Sequence, residues 1–357
     1  MTVTRSTDSL GMAAAVQALP TQLEVGLGAA AHAYGRGRCE GVPISSVVMM
    51  GMGGSGIAGD IVSALAAPVM QVPVTVVKGY ECPAFVGPST LAIALSFSGN
   101  TEETLEASTA AHVAGASMIA VTSGGRLAEL AREWEAPLYA VDRAIPMPRA
   151  AVGALSVAPL MALEGAGLLH GVAGWVRSAV TQLRARQAHA PVSDAAGALD
   201  DIVNAIGQGA LLPVFYGGGA VGAVAAGRAK AQVNENAKIP AYAGTMPELC
   251  HNELAGWDQL GADDEGSPMA VVALRHDYEH PQLRRRYDFT RTVLGGGRIA
   301  VPYAELRAAG DSPMAQLFDL ICQVDTLSLR IAAAAQRDPG PIPLLTELKT
   351  YLASIAG

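Results

Sequence analysis

The segment MMGMGGSGIAGD at 49–60 sets a glycine-rich turn between an apolar run at 46–51 and a helical pattern. Gly53, Gly54 and Gly56 let the backbone bend tightly and approach an anion, while the N–H groups opening the helix point at it with the positive end of the dipole. A second segment, LSFSGNTEET at 95–104, has the same layout, and its Ser96, Ser98 and Thr101 offer hydroxyls to phosphate oxygens without adding charge. One glycine turn alone is weak evidence. Two loops, each following a strand and opening a helix, point to a phosphorylated ligand.

The letters GMGGSG also satisfy the dinucleotide fingerprint G-x-G-x-x-G. That motif needs an acidic residue at the end of the next strand to hold a ribose hydroxyl. Here VPVTVVKGY at 72–80 ends near Lys78, with no carboxylate until Glu81. The glycines are not followed by Gly-Lys-Ser/Thr either, which disfavours a P-loop nucleotidase.

With 357 residues, half of them hydrophobic, the chain can bury two or three domain cores. A formal net charge of −8 argues against a nucleic-acid surface, so an anionic substrate must be caught by local N–H groups, hydroxyls and single cations. Cys39, Cys82, Cys250 and Cys322 are widely spaced, which predicts reduced thiols rather than a disulfide framework or a zinc knuckle. His32, His112, His170, His189, His251, His276 and His280 form no ligand cluster, so no metal is expected. No signal peptide and no unbroken apolar segment of membrane-spanning length is visible, and the expected location is the cytoplasm with no membrane partner.

An amphipathic stretch at 12–35 precedes apolar strands predicted near 46–51, 72–78, 91–96, 117–122 and 137–141, with helices at 101–115 and 125–134 between them. Continuous apolar strands alternating with helices predict a parallel sheet covered on both faces. After a helical stretch at 149–208 the pattern restarts with a strand at 211–216, the triple glycine at 217–219 and a helix. Strands near 269–275 and 297–302, with a helix at 281–293, complete it, and long helices at 312–337 and 342–354 close the chain. The predicted fold is therefore α/β, with two doubly wound parallel-sheet domains and helical N-terminal, linker and C-terminal segments. The expected limits are 1–45 for the N-terminal helical segment, 46–148 for the first sheet domain, 149–208 for the helical connection, 209–305 for the second sheet domain and 306–357 for the C-terminal helices. Such a duplication places a ligand in the crevice at the carboxyl ends of the strands.

Proton-transfer groups concentrate in VNENAKIPAYAGTMPELCHNELAGWD at 233–258, where Glu235 follows a helix and His251 comes after a loop containing proline and glycine. A carboxylate base beside an imidazole acid suits proton abstraction next to a carbonyl. Taken alone, Glu235 reads better as a capping or paired surface carboxylate and His251 as a satisfied core histidine. The two phosphate-type loops upstream tip the balance.

The ordered segments GMGGSG, LSFSGNTEET, PRAAVG, NENAK, PELCHNELAGW and LKTYL resemble the bifunctional phosphoglucose/phosphomannose isomerases, which are built from two sugar isomerase (SIS) domains of flavodoxin-like type. The similarity spans 45–355, and the NEN and HNE segments are its most specific parts. The resemblance implies that Gly54 and Ser55, with Ser96, Ser98 and Thr101, bind the sugar phosphate. It implies that Glu235 is the base moving a proton between C1 and C2, that Arg149 is the cation over the enediolate, and that His251 and Lys349 assist ring opening. It further implies a homodimer in which His251 serves the neighbouring subunit, and the sequence itself offers Leu249, Leu254 and Trp257 as candidate anchors of that contact. Aldose–ketose exchange of this kind needs no cofactor. Where the family is expected to carry a hydroxylated residue in an Asp-Pro-x-Pro turn, thought to help accept both C2 epimers, this chain has Gly340 between Pro339 and Pro341.

Other SIS proteins imply other functions. Sugar-phosphate-sensing regulators usually carry a helix-turn-helix, which the 45 residues before the first strand are too short and too little basic to form. The isomerase half of a glucosamine-phosphate synthase, or a phosphoheptose isomerase, is disfavoured by the NEN to HNE spacing.

Overall fold

The computed structural model describes residues 8–33, 43–188, 197–260, 267–295 and 300–355. Two N-terminal helices, α1 (Met12–Gln17) and α2 (Leu19–Ala33), lead into the first sheet. There β1 (Ser46–Gly51), α3 (Gly53–Ala66), β2 (Val74–Val77), β3 (Thr90–Ser96), α4 (Glu102–Val113), β4 (Ser117–Thr122), α5 (Gly125–Glu133) and β5 (Leu138–Ala140) alternate. The strands run parallel in the order β2-β1-β3-β4-β5. SVVMMG and TLAIALS are buried along their whole length, as strands covered on both faces must be.

Three helices follow, α6 (Val152–Gly165), α7 (Val172–Gln187) and α8 (Ala198–Gly207). The second sheet comprises β6 (Leu212–Gly218), α9 (Gly219–Gln232), β7 (Tyr242–Met246), α10 (Glu253–Leu260), β8 (Met269–Arg275), α11 (Pro281–Gly295) and β9 (Tyr303–Arg307), with parallel strand order β7-β6-β8-β9. The described residues end with α12 (Pro313–Ala334) and α13 (Pro343–Ile355). The strand order of both sheets reverses next to the first strand, between β1 and β3 and between β6 and β8. Ligand crevices open at such switch points.

Two strands differ from the sequence reading. The segment at 233–258 does not form one long loop, because Tyr242–Met246 adds β7 to the edge of the second sheet. Gly244 hid it: a Cβ there would meet Glu253 Oε2 at 2.7 Å and Tyr216 Cε1 at 2.9 Å, so the strand needs a residue with low strand propensity. The last strand is Tyr303–Arg307 rather than 297–302. Pro302 has no N–H to give, and its carbonyl accepts from Val271 N at 2.8 Å where the ladder begins. Residues 297–299 of the expected strand lie outside the described residues, as do 34–35 of the N-terminal stretch, Cys39 and His189.

One apolar cluster joins the two sheets, running from Val47, Met49 and Leu91 of the first through Leu155, Leu160 and Phe318 to Phe215, Val272 and Leu274 of the second. Both α6 and α12 are buried along most of their length, so they act as shared core between the sheets. Ser312 caps α12, its hydroxyl accepting from Ala315 N at 3.1 Å, and Pro313 occupies the first turn where its missing N–H costs nothing. By contrast α13 is exposed, with Leu344 at 75%, Leu348 at 51% and Tyr351 at 62% of full accessibility. Among the described residues no helix is long and apolar enough to cross a membrane.

Candidate active site

The loops after β1 and β3 meet at the first switch point, tied by side chains. Ser55 Oγ accepts from Phe97 N at 2.9 Å, and Ser96 Oγ bonds Thr101 Oγ1 at 2.9 Å and accepts from Gly99 N at 3.1 Å. Ser55 and Ser96 are buried and thus build the turns, whereas Ser98 is exposed and Thr101 half-buried at the start of α4. Ser98 Oγ accepts from Asn100 N at 3.2 Å, which leaves its own O–H able to donate outward. A third turn, at 122–125, packs on the Ser96–Thr101 loop: Ser123 Oγ donates to Phe97 O at 2.6 Å and Leu127 N to Gly99 O at 2.9 Å. Sequence reading did not single it out.

Gly54 presses against the 3₁₀ turn Pro148–Ala151, where a Cβ would stand 2.6 Å from Arg149 N. The glycine at this position therefore sets how closely the first loop approaches the Arg149 backbone. Arg149 is 2% exposed. Its Nε donates to Asn236 Oδ1 at 2.8 Å, its Nη1 to Glu235 Oε2 at 3.3 Å, and its Nη2 to the carbonyls of Pro339 and Gly340 at 2.6 and 2.7 Å. Four of the five guanidinium N–H groups thus have partners among the described residues. The fifth lies on Nη1, beside Glu235. Burial pulls the Arg149 pKa below its ordinary value and Arg228 pushes the same way, while Glu235 and Asp325 hold it up. An arginine so placed stays cationic.

Glu235 and Asn236 belong to a π-helical turn, Val233–Ala237, that continues α9. Such a turn re-aims side chains and is frequent at functional sites. Asn236 is fully buried and also donates from Nδ2 to Ser328 Oγ at 2.9 Å. A second layer supports the first, with Arg228 donating to Asp325 at 2.8 and 2.6 Å and to Arg149 O at 2.9 Å, and Gln232 to Asp325 Oδ1 at 2.8 Å. Sequence reading missed Asn236, Arg228, Gln232 and Asp325. The asparagines flanking Glu235 were the only local signal, since the other contacts come from distant segments. Lys238, also missed, donates to Asn236 O at 3.1 Å and to Asp338 O, and its pKa is lowered by burial and by Arg149.

Glu235 and Arg149 sit at one end of a groove of about 560 Å³ between α3 and α9, lined also by Gly53, Gly54 and Lys78. A larger cavity of about 820 Å³ lies between α2 and the end of β5, but its walls are mostly apolar and no proposed catalytic group faces it. Chemistry therefore favours the smaller groove.

The structure does not bring His251 or Lys349 to that groove within one chain. His251 is exposed on the 3₁₀ turn Glu248–His251, and Lys349 is exposed on α13. Leu249 and Trp257 cannot anchor a contact with another subunit as expected, because they are 1% and 5% exposed in the core of their own chain. Trp257 Nε1 donates to Tyr216 OH at 2.8 Å, and burial holds that phenol up at about 12. Leu254 packs half-buried on the same cluster.

Residues 204–352 match the family described as the bacterial phospho-glucose isomerase C-terminal SIS domain. The chain is 33% identical over 318 residues to a bifunctional phosphoglucose/phosphomannose isomerase of Caldicellulosiruptor bescii, covering 87% of this chain and 91% of that protein. It belongs to the bifunctional phosphoglucose/phosphomannose isomerase family. The Thermoplasma acidophilum member is 34% identical, over 85% of this chain and 89% of its own length. In fold, the chain also matches a crystal structure of a putative phosphosugar isomerase from Clostridium difficile, with a TM-score of 0.68 at 12% identity over 92% of this chain and 95% of that one. As a member of this family the chain is an isomerase with SIS-type α/β architecture.

Proposed function

We propose that the protein interconverts glucose 6-phosphate or mannose 6-phosphate, or both, with fructose 6-phosphate through a cis-enediolate. The observation that carries this reading is the Arg149–Glu235 pair at the end of the α3–α9 groove, next to the Gly53–Gly54 turn. Glu235, 24% exposed, reaches the groove and takes the proton from C2 or C1. The remaining N–H of Arg149 stabilises the oxyanion that develops on the adjacent oxygen. Because the Pro339 and Gly340 carbonyls, Asn236 and Glu235 already fix the guanidinium, little reorganisation is needed as charge builds. Gly54, Ser55, Ser96, Ser98 and Thr101 anchor the phosphate, Ser98 and Thr101 through hydroxyls and Ser55 and Ser96 by shaping the loops.

The ring-opening roles fall to His251 and Lys349, with His251 supplied by a second subunit of a homodimer. Support for that assembly is the exposure of His251 together with the uncovered apolar side chains of α13. No step in this scheme calls on a metal or a redox cofactor.

The decisive experiment is to assay purified protein with each hexose phosphate, with and without EDTA. Turnover of at least one epimer, unchanged by chelation, supports the proposal. Loss of activity in EDTA that zinc restores would overturn metal independence, and tight binding without turnover would point to a sugar-phosphate sensor.

A further inference from the structure

We propose that Arg143 is a substrate-positioning residue that supplies the cation for the sugar phosphate. The inference rests on the isomerase reading above and adds a group to it. Arg143 follows β5, and its exposed side chain turns back over the loop after β4, where Nε donates to the Ser123 carbonyl. The guanidinium lies against Gly124, where a Cβ would collide with its Nη2, and the Gly124 carbonyl in turn lies against Gly99, which has no room for a Cβ either. One glycine-thick layer thus separates the guanidinium from the loop that carries Ser98 and Thr101.

A phosphate at that loop needs a cation more than the usual helix end does. The first turn of α4 carries Glu102 and Glu103, which oppose the attraction of its N-terminal N–H groups for an anion. The other basic groups near this end of the first sheet are committed. Lys78 pairs with Asp60, Arg126 bonds Glu129 and Glu133 at 3.1 and 2.7 Å, and Arg149 is buried against Glu235 and two carbonyls. Among the described residues no carboxylate pairs with Arg143. Among the described residues one carbonyl holds the guanidinium, so its terminal nitrogens, with Nη2 resting against Gly124, can turn N–H donors to a doubly charged ligand.

The test compares the wild-type protein with Arg143→Ala and Arg143→Lys in steady-state kinetics, in calorimetric binding of inorganic phosphate and in thermal unfolding. The expected result for Arg143→Ala is a KM for the hexose phosphate, and a Kd for inorganic phosphate, both raised about five- to tenfold, with kcat within about twofold of wild type. Arg143→Lys should recover part of the loss. The wild-type KM should also rise more steeply with salt than that of Arg143→Ala. Unchanged phosphate affinity in Arg143→Ala overturns the inference, as does a change in thermal stability alone. The phosphate-binding arm is independent of turnover, so an inactive wild-type protein would sink the isomerase reading without deciding this one.

Discussion

Arg149 Nη1 stands 3.3 Å from Glu235 Oε2, joining a residue of the turn after the first sheet to one 86 positions later at the end of α9. Arginine is buried and glutamate faces the groove, so the pair holds a fixed cation beside a reachable base. The arrangement suits a reaction in which a proton leaves carbon while negative charge gathers on the neighbouring oxygen.

Glu235→Gln keeps the side-chain shape and removes the proton acceptor. Isomerisation should fall by about a hundredfold to ten-thousandfold, with sugar-phosphate affinity kept near wild type. Steady-state kinetics together with calorimetric binding check this, and a variant retaining most of its kcat would place the base elsewhere.

Arg149→Lys retains charge but not the planar fork that reaches Asn236, Glu235 and the Pro339 and Gly340 carbonyls. Leaving one of those buried acceptors without a donor costs about 1–3 kcal/mol. The variant should therefore unfold at lower denaturant and lose about a hundredfold to a thousandfold in kcat, the loss expected on removing one oxyanion-stabilising donor. Equal stability and equal kcat would show that a point charge suffices.

Gly340 packs against the N-terminal segment, where a Cβ would meet Leu10 Cγ at 2.7 Å and Cβ at 2.9 Å. Gly340→Thr should destabilise the protein by about 1–3 kcal/mol through overpacking, and adding Leu10→Ala should return most of it. If the missing hydroxyl governs epimer choice, the double variant should also use mannose 6-phosphate relatively better than wild type. A double variant no more stable than Gly340→Thr would show that the clash is taken up elsewhere.

Subunit exchange checks the assignment of His251 to a neighbouring site. Mixing inactive Glu235→Gln and His251→Ala proteins should regenerate about a quarter of wild-type activity, because half of the dimers are mixed and each holds one intact site. Mixed dimers that form, as seen by mass, yet remain inactive would place both groups in one chain's site.

Local chemistry made the sheets and their loops legible. SVVMMG and TLAIALS read as strands because buried parallel strands are apolar throughout, and the glycine and serine turns after them read as an anion cradle. Glu235 was legible as a proton-transfer candidate in its own segment and Arg149 only through family resemblance, because nothing in their spacing predicts that they meet. Their pairing, the grip of Pro339 and Gly340 on the guanidinium, and the Arg228–Asp325 layer beneath depend on contacts 79 to 191 residues apart in sequence. Packing of α6 and α12 between the two sheets makes those contacts, and a local sequence pattern carries no record of them. The same limit explains the misread anchors: Leu249 and Trp257 are apolar residues on a polar segment, and only their packing into the cluster of Tyr216, Met246 and Val271 decides that they face their own core. Sequence thus determined the alternation of strands and helices and the residue types at their ends, because those follow from periodicity and backbone sterics. Tertiary structure decided which of those ends share one groove, because that depends on how two sheets and their common core are placed in space.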